Sequence, residues 1–123
     1  MARVTFQLIH GIPGKGSDEQ SLLYREVGLR ELTSADLIDA QLDAEKVVVQ
    51  NGKAVAYTSD VLYGLNLLCR QVEYIGEIQG PLPLPLLKKL HVDDFGLLQS
   101  KAQELDMALA EALAERGRSN SAG

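Results

Sequence analysis

Seven apolar residues at helical spacing in the middle of the chain form its strongest core pattern. Their separations of one and three residues place them on one face of a helix. Ser59 precedes the run as a capping residue, and Gly76 follows it as a residue suited to the end of a helix. The pattern therefore predicts an amphipathic helix packed against a core. The seven residues are Val61, Leu62, Leu65, Leu68, Cys69, Val72 and Ile75.

The composition fits a soluble globular domain with an aliphatic core. Of the 123 residues, 46% are hydrophobic and 24% are charged, as in ordinary globular domains. Aromatic residues make up 5% and tryptophan is absent, which favours leucine-rich helices. A single cysteine suits a reducing compartment. Because no apolar run is long enough for a signal peptide or a membrane span, we expect a cytoplasmic protein without a membrane partner.

Two regions alternate between apolar and polar residues, as half-buried strands do. Val4, Phe6 and Leu8 form the first, and the second runs from Leu23 to Leu29. They predict a β-hairpin over residues 1–30 with a long loop that begins at Gly11. A second small hairpin is predicted around Asn51-Gly52, because this dipeptide favours a two-residue turn.

Capping signals predict helices over most of the remaining sequence. Thr33 and Asp36 mark the start of the first helix, and the last helix should run from about Asp93 to about Glu115. We therefore predict an α+β fold dominated by helices, with an N-terminal β-hairpin, about four helices and a long C-terminal helix. Residues 1–116 should form one domain, mainly helical over 33–116. Residues 117–123 should form a disordered tail.

The predicted last helix carries a narrow apolar seam whose separations alternate between three and four residues. This 3.5-residue average is typical of a helix that meets another helix. The seam predicts either ordinary core packing or contact with a second copy or a partner helix. In the second case, Leu105→Glu should abolish partner binding and leave the domain folded. The seam consists of Phe95, Leu98, Ala102, Leu105, Leu109 and Ala112.

The charge distribution is uneven along the chain. Twelve basic and 17 acidic residues give a net charge of −5. The longest basic cluster is the Lys88-Lys89 pair, so we do not expect a nucleic-acid partner. Six acidic residues and one lysine lie between Asp93 and Glu115, and their sum equals the charge of the whole chain. The last helix should therefore associate with a basic or amphipathic helix in a salt-sensitive manner.

No motif predicts an enzyme or a cofactor. The GIPGKGS segment from Gly11 to Ser17 has two residues, not four, between its first glycine and the Gly-Lys pair, so it lacks the spacing of a phosphate-binding loop. His10 and His91 have no second ligand at helical spacing, so we expect neither a metal site nor a general base. Cys69 lies within the apolar stripe and should be a buried structural thiol.

Two acidic pairs, Asp39/Asp43 and Asp93/Asp94, are candidate metal ligands or catalytic acids by residue type alone. Their positions on predicted helices favour a simpler interpretation. Exposed helix faces and first turns are where carboxylates stabilise the helix dipole. We therefore expect exposed carboxylates at these positions.

Three sequence blocks together resemble the Mu-like phage tail assembly chaperones, the family that includes protein E-type tail proteins. They are LRELTSADLIDAQ from Leu29, RQVEYIGEIQGPLPL from Arg70 and LKKLHVDDFGLLQ from Leu87. The resemblance spans about residues 4–106. It implies that its motif positions fix the fold between helices, and we expect Arg70 to pair with a carboxylate of the first helix such as Asp36. These positions are Asp36, Arg70, Gln71, Gly76, Gly80 and Pro81.

The resemblance also implies a function without catalysis. Such proteins bind the tape measure protein in the host cytoplasm, keep it soluble, and are displaced by tail-tube subunits, so they are absent from the mature virion. A longer form made by translational frameshifting is thought to recruit the tail-tube protein. Homo-oligomers are compatible with the seam. The alternatives are a minor tail or connector component that stays in the virion, and a small helical regulator that dimerises.

Overall fold

The computed structural model describes residues 4–14 and 23–121. Four strands form an antiparallel sheet in the order β1-β2-β5-β6, and β3 and β4 form a separate antiparallel ribbon. Four helices accompany these strands in the described part of the chain. The elements are β1 (Val4–Pro13), β2 (Leu23–Leu29), α1 (Ser34–Asp43), β3 (Glu45–Gln50), β4 (Lys53–Thr58), α2 (Asp60–Gln71), β5 (Val72–Ile75), β6 (Ile78–Gln79), α3 (Leu84–Leu87) and α4 (Val92–Ser121).

The fold is a mixed α+β fold with six strands in two sheets among the described residues, and the prediction of a helix-dominated fold is wrong. The central helix ends at Gln71, and the last part of its apolar pattern lies in β5. The β2–β5 register shifts between Gly28 and Leu29, and both Val72 and Ile75 are buried. Their three-residue spacing resembles a helical repeat, although Val72, Tyr74 and Ile75 are residue types that favour a strand.

Both predicted hairpins are confirmed. In the first hairpin, β1 and β2 are antiparallel, and the pairing begins with Val4 opposite Leu29. β1 continues to Pro13 through a register shift between Gln7 and Ile12, so the strand is longer than predicted. The rest of the predicted loop, over residues 15–22, lies outside the described residues.

The second hairpin turns at Asn51 and Gly52, which have φ angles of 53° and 77°. Positive φ at both positions is typical of the type I′ turn that favours Asn-Gly. The β3–β4 ribbon is exposed on nearly its whole length, with Val47 and Val49 67% and 74% accessible. At its base, the Ser59 N–H donates to the Ala44 carbonyl at 2.9 Å.

The core lies between the four-stranded sheet and the helices. Val27, Leu29 and Ile75 on the sheet and Leu98 on α4 are fully buried. α4 lies across β1 and also contacts α2, and α3 packs against α2. The sheet therefore supports the N-terminal half of α4.

The C-terminal half of α4 extends beyond this core. Residues 110–117 are exposed, and the helix ends at Ser121. This differs from the predicted end near Glu115 and places residues 117–121 of the predicted disordered tail in a helix, while residues 122–123 lie outside the described residues. In the described residues, no helix has the length and apolarity needed to cross a membrane.

Candidate functional site

Asp36 organises the start of α1. Its carboxylate accepts the Thr33 N–H at 2.8 Å, and the Thr33 hydroxyl accepts the Asp36 N–H at 3.2 Å, which forms a capping box. Arg30 donates to both Asp36 oxygens at 2.8 and 2.9 Å. These Arg30 hydrogen bonds, with those from Thr33, hold the pKa of Asp36 well below its usual value despite its burial.

Arg70 faces α1, but its close partner is not Asp36. Its Nη2 donates to Asp43 at 2.9 Å, and its Nη1 lies 3.9 Å from Asp36. Arg30, which sequence reasoning missed, occupies the bidentate position on Asp36. The sequence could not predict this pair, because an arginine at position 30 that pairs with Asp36 cannot be told from one that only faces solvent.

Gln71 connects the end of α2 to α4. It is 2% exposed, and its side-chain amide donates to Asp106 at 3.0 Å. Its carbonyl accepts the Arg30 N–H at 2.9 Å. The structure thus places this motif position where α2, α4 and the end of β2 meet.

The remaining motif positions surround the β5–β6 turn. Gly76 has a φ of 58°, a region that side-chain-bearing residues rarely adopt, and lies in the turn after β5, not at a helix end. A Cβ at Gly80 would overlap the Val72 carbonyl oxygen. Gly80 precedes Pro81 through a cis peptide bond. The backbone of β5 therefore leaves no space for a side chain at Gly80.

Cys69 is buried, as predicted, with 5% of its surface exposed. Burial raises the pKa of its thiol, and the nearby Arg70 only partly offsets this effect. A protonated, inaccessible thiol is a poor nucleophile. Cys69 therefore acts as a small core residue.

Asp94 corrects the expectation of an exposed carboxylate. It is fully buried, and its oxygens accept the N–H groups of Ile9 at 2.6 Å and Gly11 at 2.9 Å. The His10 N–H also donates to Asp94, at 3.1 Å. These strand N–H groups lie in the register shift of β1, where they have no partner on β2. Asp94 thus attaches β1 to the start of α4.

His10, His91 and Asp93 come together at this junction, although His10 and Asp93 are 83 residues apart in the sequence. The imidazole rings stack with centroids 3.6 Å apart, and His10 Nε2 lies 3.0 Å from Asp93 Oδ2. The Asp93 N–H donates to His91 Nδ1 at 3.0 Å, so His91 caps the helix. Sequence spacing missed the cluster because His10 lies 83 residues from Asp93.

The predicted seam divides into a buried and an accessible part. Leu98, Ala102 and Leu105 are at most 5% exposed and belong to the core. Phe95 and Leu109 are half-buried against it, and Ala112 is exposed. Ordinary core packing, the first of the two predicted interpretations, therefore accounts for the middle of the seam.

A groove of about 490 Å³ lies between α2 and α4. Its apolar lining includes Val61, Leu65, Leu68 and Ala102, and Gly64 leaves open space beside them. A second groove of about 320 Å³ shares Leu65 and is otherwise lined by residues of α3 and α4 and of the segment between them, including Phe95. We call the first of these the α2–α4 groove.

Polar residues complete the lining of the α2–α4 groove. Asp60 and Asp106 contribute carboxylates, and Gln99 and Gln103 contribute amides. All four side chains are exposed. An apolar groove with carboxylates beside it suits an amphipathic helix that carries basic residues.

Comparison with known proteins identifies the family of this chain. The family model described as "Tail assembly protein gp41" matches residues 11–118, which include both α2 and α4. The chain belongs to the gp41 tail assembly family. The matched region contains the α2–α4 groove and the Asp36 cap. It also contains Asp94 and part of β1, to which Asp94 is bonded.

Individual gp41 relatives agree with this assignment. The "Probable tail assembly protein gp41" of Escherichia phage Mu is 44% identical over 91% of this chain and 78% of its own length. The "Mu-like prophage FluMu protein gp41" of Haemophilus influenzae is 40% identical over 79% of this chain and 77% of its own.

A longer gp41 protein also matches. The "Probable tail assembly protein FS-gp41" of phage Mu is 44% identical over 90% of this chain, which spans only 59% of the length of that relative. No solved structure gave a significant match.

Proposed function

We propose that this gp41 family member is a tail assembly chaperone that binds the tape measure protein, keeps it soluble, and is displaced by tail-tube subunits. It acts in the host cytoplasm, without catalysis, and leaves before the virion is complete. The membership of the chain in a tail assembly family supports a role in tail assembly. The α2–α4 groove is the observation that carries the finer proposal.

The groove matches the needs of a reversible helix-binding site. Val61 is 75% exposed beside it, and the open space at Gly64 lets a partner backbone approach closely. Burial of such apolar surface contributes roughly 25 cal/mol per Å². A single shallow groove gives modest affinity, which suits a chaperone that must later be displaced.

Charge directs the choice of partner segment. Asp60 and Asp106 line the groove, and residues 93–115 of α4 hold six acidic residues and one lysine. An amphipathic helix of the tape measure protein with basic residues beside its apolar face complements this surface. The end of the seam, with half-buried Leu109 and exposed Ala112, extends the same contact or joins two copies of the chain.

A longer form is the second part of the proposal. The matched region makes up 78% of one phage Mu relative and 59% of another, so the second relative has more sequence outside that region. We propose that a frameshifted form of this chain adds such a segment and recruits the tail-tube protein through it.

Co-expression with the tape measure protein of the same phage tests groove binding. The unaltered chain should raise the soluble fraction of the tape measure protein and co-purify with it. Gly64→Leu fills the open space in the groove and should reduce co-purification at least about tenfold. Raising the salt concentration from about 0.05 to 0.5 M should weaken binding of the unaltered chain.

Gly117→Leu is the matched control, because a Cβ at Gly117 also meets open space but lies outside the groove. Circular dichroism should show that both variants are folded. Equal capture by both variants contradicts groove binding. Mass spectrometry of purified particles tests displacement, since a stoichiometric amount of this chain in mature virions indicates a retained structural component.

A further inference from the structure

We propose that His10, His91 and Asp93 bind a divalent transition-metal ion, typically Zn²⁺, which links β1 to the start of α4. One ligand atom of each residue lies within 4.8 Å of those of the other two. All three side chains are exposed, at 42%, 46% and 55%, so an ion reaches them from solvent. The cluster lies apart from the residues that line the α2–α4 groove.

The two distances from the carboxylate to the ring nitrogens suit tetrahedral coordination, and the two ring nitrogens lie within 4.8 Å of each other. Asp93 Oδ2 lies 3.0 Å from His10 Nε2 and 3.5 Å from His91 Nδ1. Zinc–nitrogen and zinc–oxygen bonds of 2.0–2.1 Å require ligand atoms about 3.3 Å apart in a tetrahedron. One distance is slightly shorter than this value and the other is slightly longer, so the Asp93 carboxylate needs to move little to bind an ion.

A hydrogen bond shows which nitrogen of His91 can act as a ligand. His91 Nδ1 accepts the Asp93 N–H, so in the neutral ring the proton lies on Nε2 and Nδ1 offers a lone pair. An ion replaces that N–H as the partner of Nδ1, and takes the place of the direct contact between His10 Nε2 and Asp93 Oδ2. The stacked rings turn about their exposed side-chain bonds until both lone pairs meet at the ion.

The backbone beneath the cluster holds its members in place. Asp94 fixes the His10 main chain by accepting its N–H, and His91 and Asp93 flank the first residue of α4. Ligands supported by such surrounding hydrogen bonds lose less freedom on binding. A carboxylate and two imidazoles prefer Zn²⁺, Ni²⁺ or Cu²⁺ to Mg²⁺ or Ca²⁺. Three protein ligands leave a fourth position for water or for a partner side chain.

Titration of the full chain, without a histidine tag, tests the site. Calorimetry with ZnCl2 should show one ion per chain with a micromolar dissociation constant, and Zn²⁺ should raise the Tm. Co²⁺ should give the visible absorption of tetrahedral coordination without a thiolate charge-transfer band, which separates this site from Cys69. Absence of binding at about 1 mM Zn²⁺ would overturn the proposal.

His10→Ala and His91→Ala should each weaken zinc binding at least about tenfold and abolish the rise in Tm. Both residues are exposed, so circular dichroism should show an unchanged fold. Glu104→Gln removes an exposed carboxylate elsewhere on α4 and should bind Zn²⁺ like the unaltered chain. Unchanged affinity in both histidine variants places the ion elsewhere and contradicts the assignment.

Discussion

The carboxylate of Asp94 accepts the main-chain N–H of Gly11 at 2.9 Å, across 83 residues of sequence. It does so at a point where β1 shifts register and cannot pair all its N–H groups with β2. Since Asp94 is fully buried, these N–H groups are bonded to its carboxylate and not to bulk solvent. One side chain thus satisfies the N–H groups of the irregular strand and attaches the start of α4 to the sheet.

Asp94→Ala should lower the free energy of unfolding by about 2–4 kcal/mol, because it leaves several N–H groups of β1 unpaired. Urea unfolding followed by circular dichroism measures the loss. Glu104→Ala is the control, since its exposed side chain should contribute less than about 0.5 kcal/mol. Equal losses in the two variants would show that the hydrogen bonds to β1 do not stabilise the fold.

Leu105→Glu should unfold the domain, in contrast to the expectation from the seam alone. Leu105 is 5% exposed within the core, and burying a carboxylate there without a partner costs several kcal/mol. Leu113→Glu, on the same helix and 65% exposed, should remain folded with an unchanged Tm. A folded Leu105→Glu variant would return this position to the candidate partner surface.

Asp36 should make stability depend on pH in the acid range. Because the folded-state pKa is lowered, its contribution is fully present above the unfolded value of about 3.9 and is lost as pH falls towards the folded value. Asp36→Asn should therefore cost about 2 kcal/mol at pH 7 and progressively less below pH 4. Urea unfolding of both proteins across this range measures the difference. A constant difference would contradict the role of ionised Asp36.

Two glycines should respond to alanine in opposite directions. Gly80→Ala should destabilise the domain by more than about 2 kcal/mol, because the new Cβ meets the Val72 carbonyl oxygen. Gly64→Ala, within α2 and facing open space, should stabilise it by about 0.5–1 kcal/mol. Thermal unfolding of the two variants measures both effects, and a stabilised Gly80→Ala variant would contradict the close approach.

Local signals in the sequence predicted local structure well. Thr33, Ser59 and the Asn51-Gly52 turn lie where capping and turn chemistry places them. The same signals could not separate α2 from β5, because a strand with an irregular register can bury residues three apart. Local propensity therefore located the hairpins and helix starts but underestimated the sheet.

The candidate sites depend on contacts between distant segments, which spacing alone cannot show. The sequence gives no sign that His10 meets His91, or that Asp94 is buried while its neighbour Asp93 is exposed. The seam on α4 was visible as a pattern, but only the arrangement of α2 and β1 decides which half of it is covered. The predicted resemblance to a Mu-like tail assembly family, by contrast, is confirmed.

The hydrogen bond from Ser59 to Ala44 brings the two ends of the β3–β4 ribbon together. The chain therefore leaves α1 and enters α2 at nearly the same point, and the ribbon between them behaves as an insertion in a helical hairpin. Such a junction accepts segments of different length, because the loop-closure entropy changes slowly with length. The ribbon is thus the natural place to graft a tag, a fluorophore or a replacement turn without disturbing the sheet.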